Sequence, residues 1–207
     1  MPGGGPTRRA VGLGAVAVLA EPAAASSQGE KLASAARRQL GVTTGYDPAY
    51  RKLAYPGGDV PRATGVCCDV VIRAARDGLG LDLQALVHED MRRAFAAYPS
   101  HRRWGLTAPD RNIDHRRVPN LETYWTRAGA RIWRASGWRL GSDFDQPMER
   151  GDILTWLVNG SLPHVAVVVS DGRLPRIVHN IGDGVREDGL IRMLPHRPVA
   201  HFRWPKA

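Results

Sequence analysis

Cys67 and Cys68 are the only cysteines in the 207-residue chain, and they stand side by side at the start of an apolar-periodic segment that reads as a helix. Neighbouring residues do not readily take disulfide geometry, so at least one free thiol is expected. A helix N-terminus favours the thiolate, through unpaired N–H groups and the positive end of its dipole, and the thiolate is the form that attacks carbonyls. The position suits a nucleophile; the competing reading is that both are small buried core residues, the commonest fate of a free cysteine. A nucleophilic thiol needs a base and a group that orients the base. Two histidines stand where they can serve: His164 opens the run Val165 to Val169, and His179 ends the next run in Val178-His179-Asn180, fifteen residues later. Two antiparallel strands joined by a turn at Asp171-Gly172 bring such histidines side by side.

The elements that must hold these residues follow from periodicity. Ser27 and Glu30 form a capping-box pattern ahead of Leu32, Ala35, Ala36 and Leu40, a first helix ending near Gly41. Tyr46 to Pro61 is rich in Pro, Gly and Asp and reads as a structured loop. A helix from Val66 to Asp77, closed by Gly78, puts Cys67 and Cys68 in its first turn, and a second from Leu83 to Tyr98 presents Leu83, Leu86, Val87, Met91 and Phe95. Pro99 to Pro119 is a polar stretch of a length that suits covering or lining a site, and a short helix from Leu121 to Arg127 follows. The last third changes period: Asp152 to Val158, His164 to Ser170, Arg176 to Ile181 and Pro198 to Trp204 are short β-branched or aromatic runs. Helices first and strands afterwards is the α+β pattern, helices packed on one face of a small antiparallel sheet.

Length and composition fit one domain, residues 26–207, behind an N-terminal segment of another kind. Arg8 and Arg9, the apolar run Ala10 to Ala20 and the small residues Ala23 to Ala25 make residues 1–25 read as a signal peptide, which implies an exported, periplasmic or secreted protein. The apolar run spans 11 residues, against the roughly 20 a membrane-crossing helix needs, so no stable membrane insertion is expected. Arg8-Arg9 also fits a twin-arginine start, and the export route stays open. With 29 Lys+Arg against 20 Asp+Glu the formal charge is +9. Two cysteines and this charge exclude a disulfide-stapled miniprotein, a Cys-rich zinc module and a disordered acidic protein. No nucleic-acid motif or long basic run is present, so no specific nucleic-acid partner is expected; export makes the cell wall the nearest polyanion.

The order Tyr55-Pro56-Gly57-Gly58, Cys67 opening a helix, Gly151-Asp152, His164 to Val168 and Val178-His179 resembles the NlpC/p60-like branch of the papain-like cysteine peptidases. More closely, Gly65-Val66-Cys67, Asp69 to Arg73, Leu83-Gln84, Val87 to Met91, Asn112 to Asn120 and His179 to Gly182 are similar to the bacterial family called domain of unknown function 1287. The resemblance covers nearly all of the mature chain. It implies Cys67 as nucleophile, His164 as base and His179 as the residue that orients the base, with Tyr55 near the oxyanion hole. Cys68 remains the alternative thiol, since the peptidase branch has Asp-Cys-Ser-Gly where this chain has Val66-Cys67-Cys68-Asp69, and Asn180 remains the alternative to His179.

Asp114, His115 and Arg116 lie in the histidine-arginine stretch that matches the family and could bind a substrate carboxylate, or Asp114 and Arg116 form an ion pair that holds the loop. His88, with Glu89 and Asp90, has no recognisable partner for a metal, and no cofactor is implied. The expected function is an exported cysteine hydrolase, an endopeptidase or amidase on peptidoglycan peptides. The alternatives are a non-catalytic envelope-binding domain and a thiol-dependent acyltransferase.

Overall fold

The computed structural model describes residues 27–137 and 144–206, with Met1 and Gly3; Met1 and Gly3 aside, the expected signal peptide lies outside the described residues. Ser27 caps the first helix, α1 (Gln28–Arg37): its hydroxyl accepts from the Glu30 N–H while the Glu30 carboxylate accepts from the Ser27 N–H. Two short parallel strands, β1 (Gly45–Tyr46) and β2 (Thr64–Gly65), close the turn-rich loop at its ends. β2 leads directly into α2 (Cys67–Leu79), so both cysteines do occupy a first helical turn. α2 runs through Gly78, where the sequence suggests a stop, and ends at Gly80 in the left-handed region with φ 68°. Gly78 serves packing instead: a Cβ there would lie 2.6 Å from the Lys31 carbonyl oxygen, so α1 and α2 meet where only glycine fits.

α3 (Leu83–Ala94) is shorter than expected because the chain tightens into a 3-10 turn at Phe95–Ala97. The polar stretch after it holds α4 (Ser100–Trp104) and a 3-10 turn at Asp114–Arg116, and α5 (Val118–Arg127) begins ahead of Leu121, with Pro119 in its first turn. The strands are β3 (Arg131–Arg134), β4 (Ile153–Val158), β5 (Leu162–Ser170), β6 (Arg176–Asn180), β7 (Val185–Gly189) and β8 (Arg197–Phe202). They form one antiparallel sheet in the order β3-β8-β4-β5-β6-β7. β3 and β7 are its edges and add to the four runs legible in the sequence; their charged residues suit edges and hide the apolar alternation.

β5 is buried on both sides. Val165, Val167 and Val169 join Leu32, Val71, Leu83 and Trp125 of the helices in one core, while Ala166 and Val168 join Leu154, Trp156 and Ile177 in a second on the other face. The architecture is therefore α+β, helices on one face of an antiparallel sheet. Among the described residues no helix is long and apolar enough to cross a membrane.

Two buried arginines tie the loops to α2. Arg73, 1% exposed, donates to Asp59, to the Thr43 hydroxyl and to the carbonyls of Val60 and Thr64, fixing the approach to β2. Arg116 grips both oxygens of Asp69 at 2.9 Å through Nε and Nη2, and reaches the carbonyls of Ala49 and Asp47. Asp69 in turn accepts the Val66 N–H at 2.6 Å, capping α2. Breaking a buried pair leaves one charge uncompensated, so Arg116→Met should cost about 3–5 kcal/mol, read as a lowered urea midpoint at unchanged m-value. Arg116→Lys should not restore it, because an ammonium cannot hold both carboxylate oxygens in a planar fork.

Candidate active site

Cys67 is the first residue of α2 and is 4% exposed. Its thiol is held well below the ordinary range. The Cys68 thiol donates a hydrogen bond to it, burial opposes, and His164 adds a hydrogen bond and charge while the Val165 N–H donates a further bond. Cys68 moves the opposite way: burial, together with its bond to Cys67, pushes its thiol well above the usual value. The two thiols are thus pushed in opposite directions, Cys67 towards the thiolate and Cys68 towards the protonated form.

The Val165 contact follows from how the sheet ends. Val168 bonds to Asp152 and Gly151 on the β4 side, so the odd-numbered residues of β5 turn their N–H groups towards β6. The ladder with β6 stops at Val167 and Val178, which leaves the Val165 N–H free for the Cys67 sulfur. The same splaying opens room for the two histidines. His164 Nε2 and His179 Nδ1 lie 2.8 Å apart, with the rings edge to face at 5.0 Å between centroids.

Beyond His179 stands a residue that the sequence reading missed. His179 Nε2 lies 3.2 Å from Asp188 Oδ2, on edge strand β7. Burial raises the Asp188 carboxyl, but hydrogen bonds from Arg186 and His179 outweigh it and keep the group below the ordinary carboxylate range. Burial, then the charge of His164, lowers His179 to about 4, against the pull of Asp188. At neutral pH the hydrogen-bond directions follow from these two facts. The Asp188 carboxylate only accepts, so neutral His179 carries its proton on Nε2 and accepts at Nδ1. His164 must then donate from Nε2, which leaves its Nδ1 for the proton of Cys67.

Cys67 lines a cleft of ≈ 200 Å³ whose walls include Tyr46, Val66, Trp104, Arg116 and Pro163. Tyr46, and not Tyr55, borders this cleft. Burial, followed by the charge of Cys67, raises its phenol, so the hydroxyl keeps its proton. Tyr55 lies with α3 instead: its hydroxyl donates to Glu89 at 3.1 Å and its ring meets His88 edge-on at 5.2 Å. The reason is the Gly57 and Gly58 N–H groups, which fasten the turn after Tyr55 to Asp82 and Gln84 at the start of α3.

The expected carboxylate-binding stretch is largely internal. Arg116 borders the cleft, but its guanidinium is committed to Asp69 rather than to a ligand or to Asp114. Asp114 instead pairs with Arg117 at 3.3 Å and accepts from the Asn120 amide. His115 is 2% exposed and lies outside the cleft lining; burial, then the charge of Arg116, lowers it to about 3, so it is neutral. Asn180 does not face His164: its amide ties β1 and β2 together through the carbonyls of Gly45 and Gly65.

Asp188→Asn removes the acceptor that sets both tautomers. Alkylation of Cys67 by iodoacetamide should slow roughly tenfold or more near neutrality, and its pH profile should move upward. Arg192→Gln, which removes a 3.7 Å partner of Asp188, should leave the profile nearly unchanged. Cys68→Ala removes the largest support of the Cys67 thiolate and should shift the profile upward as well.

The family model described as domain of unknown function DUF1287 matches residues 33–204. A curated relative, "Uncharacterized protein YijF" of Escherichia coli (strain K12), is 47% identical over 177 residues, covering 84% of this chain and 80% of the relative. A match across both the helices and the sheet, joined to this identity, places the chain in the DUF1287 family.

Proposed function

We propose that this protein is an exported cysteine hydrolase, an endopeptidase or amidase that cuts amide bonds of cell-wall peptides on an NlpC/p60-like scaffold. The observation that carries the reading is the continuous line from Cys67 through His164 and His179 to Asp188, starting at a helix N-terminus that borders a cleft. The thiolate of Cys67 attacks the amide carbon, and the C–N bond breaks as His164 gives its Nδ1 proton to the leaving amine. Water then loses a proton to His164 and attacks the thioester, releasing the acid and restoring the thiol. His179 holds the ring of His164 and Asp188 holds His179, so both act as positioning residues.

Helix geometry leaves the N–H groups of Cys67 and Cys68 without intrahelical acceptors, and with the Tyr46 hydroxyl they supply donors for the oxyanion. The likeness to NlpC/p60-like peptidases is supported by a cysteine at the head of a helix packed on an antiparallel sheet whose inner strand carries the base. The signal-peptide pattern of residues 1–25 and the excess of basic over acidic residues after it favour a substrate in the anionic cell envelope. In a digest of purified peptidoglycan peptides followed by release of new amines, Cys67→Ala and His164→Ala should each lose roughly 10³-fold or more of the activity, with circular dichroism unchanged. Turnover by Cys67→Ala at the native rate would overturn the reading.

A further inference from the structure

The cleft at Cys67 continues beyond its own walls. Pro119 and Pro163 also border a second cavity of ≈ 250 Å³, lined by Arg103, Glu122, Arg134 and Arg197. Glu122, Arg134 and Val199 are shared in turn with a third cavity of ≈ 340 Å³ against α5, β3 and β8. The three cavities therefore adjoin one another in a row, from Cys67 past α5 to the edge of the sheet, and together form a groove-like series. Its threshold is two prolines, whose fixed φ keeps the passage from closing by local backbone rotation.

The cavity in the middle carries more cations than anions. Arg73, Arg116, Arg127, Arg176 and Arg203 each engage a carboxylate at 3.0 Å or less. Arg103, Arg134 and Arg197 are exposed and, among the described residues, form no ion pair. Glu122 is the acid in this cavity. Burial raises its carboxyl, against a hydrogen bond from Thr155 and the charges of Arg103 and Arg134. One half-buried carboxyl in a cavity lined by three guanidiniums leaves the cavity positive and rich in planar donor forks, the groups that take up a carboxylate.

We propose that the cavity bounded by Arg103, Arg134 and Arg197 is a substrate subsite that seats a free carboxylate of the peptide whose amide bond lies at Cys67. The proposal rests on the hydrolase reading and narrows it: the substrates are acidic peptides, selected at a distance from the bond that breaks. It also gives a use to the histidine-arginine chemistry that Arg116, locked to Asp69, does not perform.

The test uses maleimides that label Cys67 and carry an arm of graded length: maleimidopropionic, maleimidohexanoic and maleimidoundecanoic acids, each beside its neutral carboxamide. In the native protein one arm length should label roughly fivefold faster as acid than as amide, the preference a fork-held carboxylate provides. The ratio should fall to about one in Arg134→Gln/Arg197→Gln, and persist in Arg92→Gln/Arg93→Gln, which removes equal charge from exposed sites on α3. An acid-to-amide ratio of one at every length, or a preference that survives Arg134→Gln/Arg197→Gln, overturns the subsite while leaving the hydrolase reading intact. Failure of every label, amides included, to reach Cys67 overturns the nucleophile reading and the subsite with it.

Discussion

The bidentate pairing of Arg116 with Asp69 is the contact on which the site depends. Asp69 is needed at the third position of α2, where its carboxylate caps the helix by accepting the Val66 N–H. Left alone, that charge would sit beside the thiols and disfavour a thiolate. Arg116 offsets it at 2.9 Å, with side chains 2% and 4% exposed, so the helix keeps its cap and Cys67 is spared an uncompensated negative neighbour. The same guanidinium bonds the carbonyls of Asp47 and Ala49, in the segment just after Tyr46. One ion pair thus ties together the helix start that carries Cys67, the segment after Tyr46 and the turn that leads into α5.

From that anchor the remaining chemistry is a matter of direction. The Val165 N–H can only donate to the Cys67 sulfur, and the Asp188 carboxylate can only accept from His179. Every hydrogen bond between these ends has its sense fixed by them, and the free position is the Nδ1 of His164. The fold supplies this by an omission: β6 leaves β5 after Val167 and Val178, and the unbonded ends of the two strands accommodate both histidines and release the Val165 N–H. Glu122 and the arginines of the neighbouring cavity lie on the α5 side, separated from this line by Pro119 and Pro163, so binding of charge and chemistry at the thiol occupy different walls.

What could be read in the sequence is what local pattern encodes. The apolar stripe from Val70 to Ala75 announces α2 and so places Cys67 at its head, and the continuous β-branched runs of β5 and β6, buried on both faces, announce the antiparallel pair that brings His164 to His179. Asp188 was not legible because Val185-Arg186-Glu187-Asp188-Gly189 is a charged edge strand without apolar alternation. Tyr46 was passed over for Tyr55 because its position depends on a parallel pair only two residues long on each strand. Arg116 looked like a ligand-binding residue for a similar reason: its partner lies 47 positions away, and no local pattern links the two. Side chains whose role is set by a distant partner are the ones that spacing cannot assign.

The most direct test is a pH titration of the thiolate by its ultraviolet absorbance in the native protein and in Cys67→Ser, Cys68→Ser and His164→Ala. One thiolate should persist well below the roughly 8.5 of a free thiol, remain in Cys68→Ser, whose hydroxyl can still donate, and vanish in Cys67→Ser. His164→Ala should move its titration upward. Two thiols that both titrate near the free value, or a low-pH thiolate that survives in Cys67→Ser, would contradict the account.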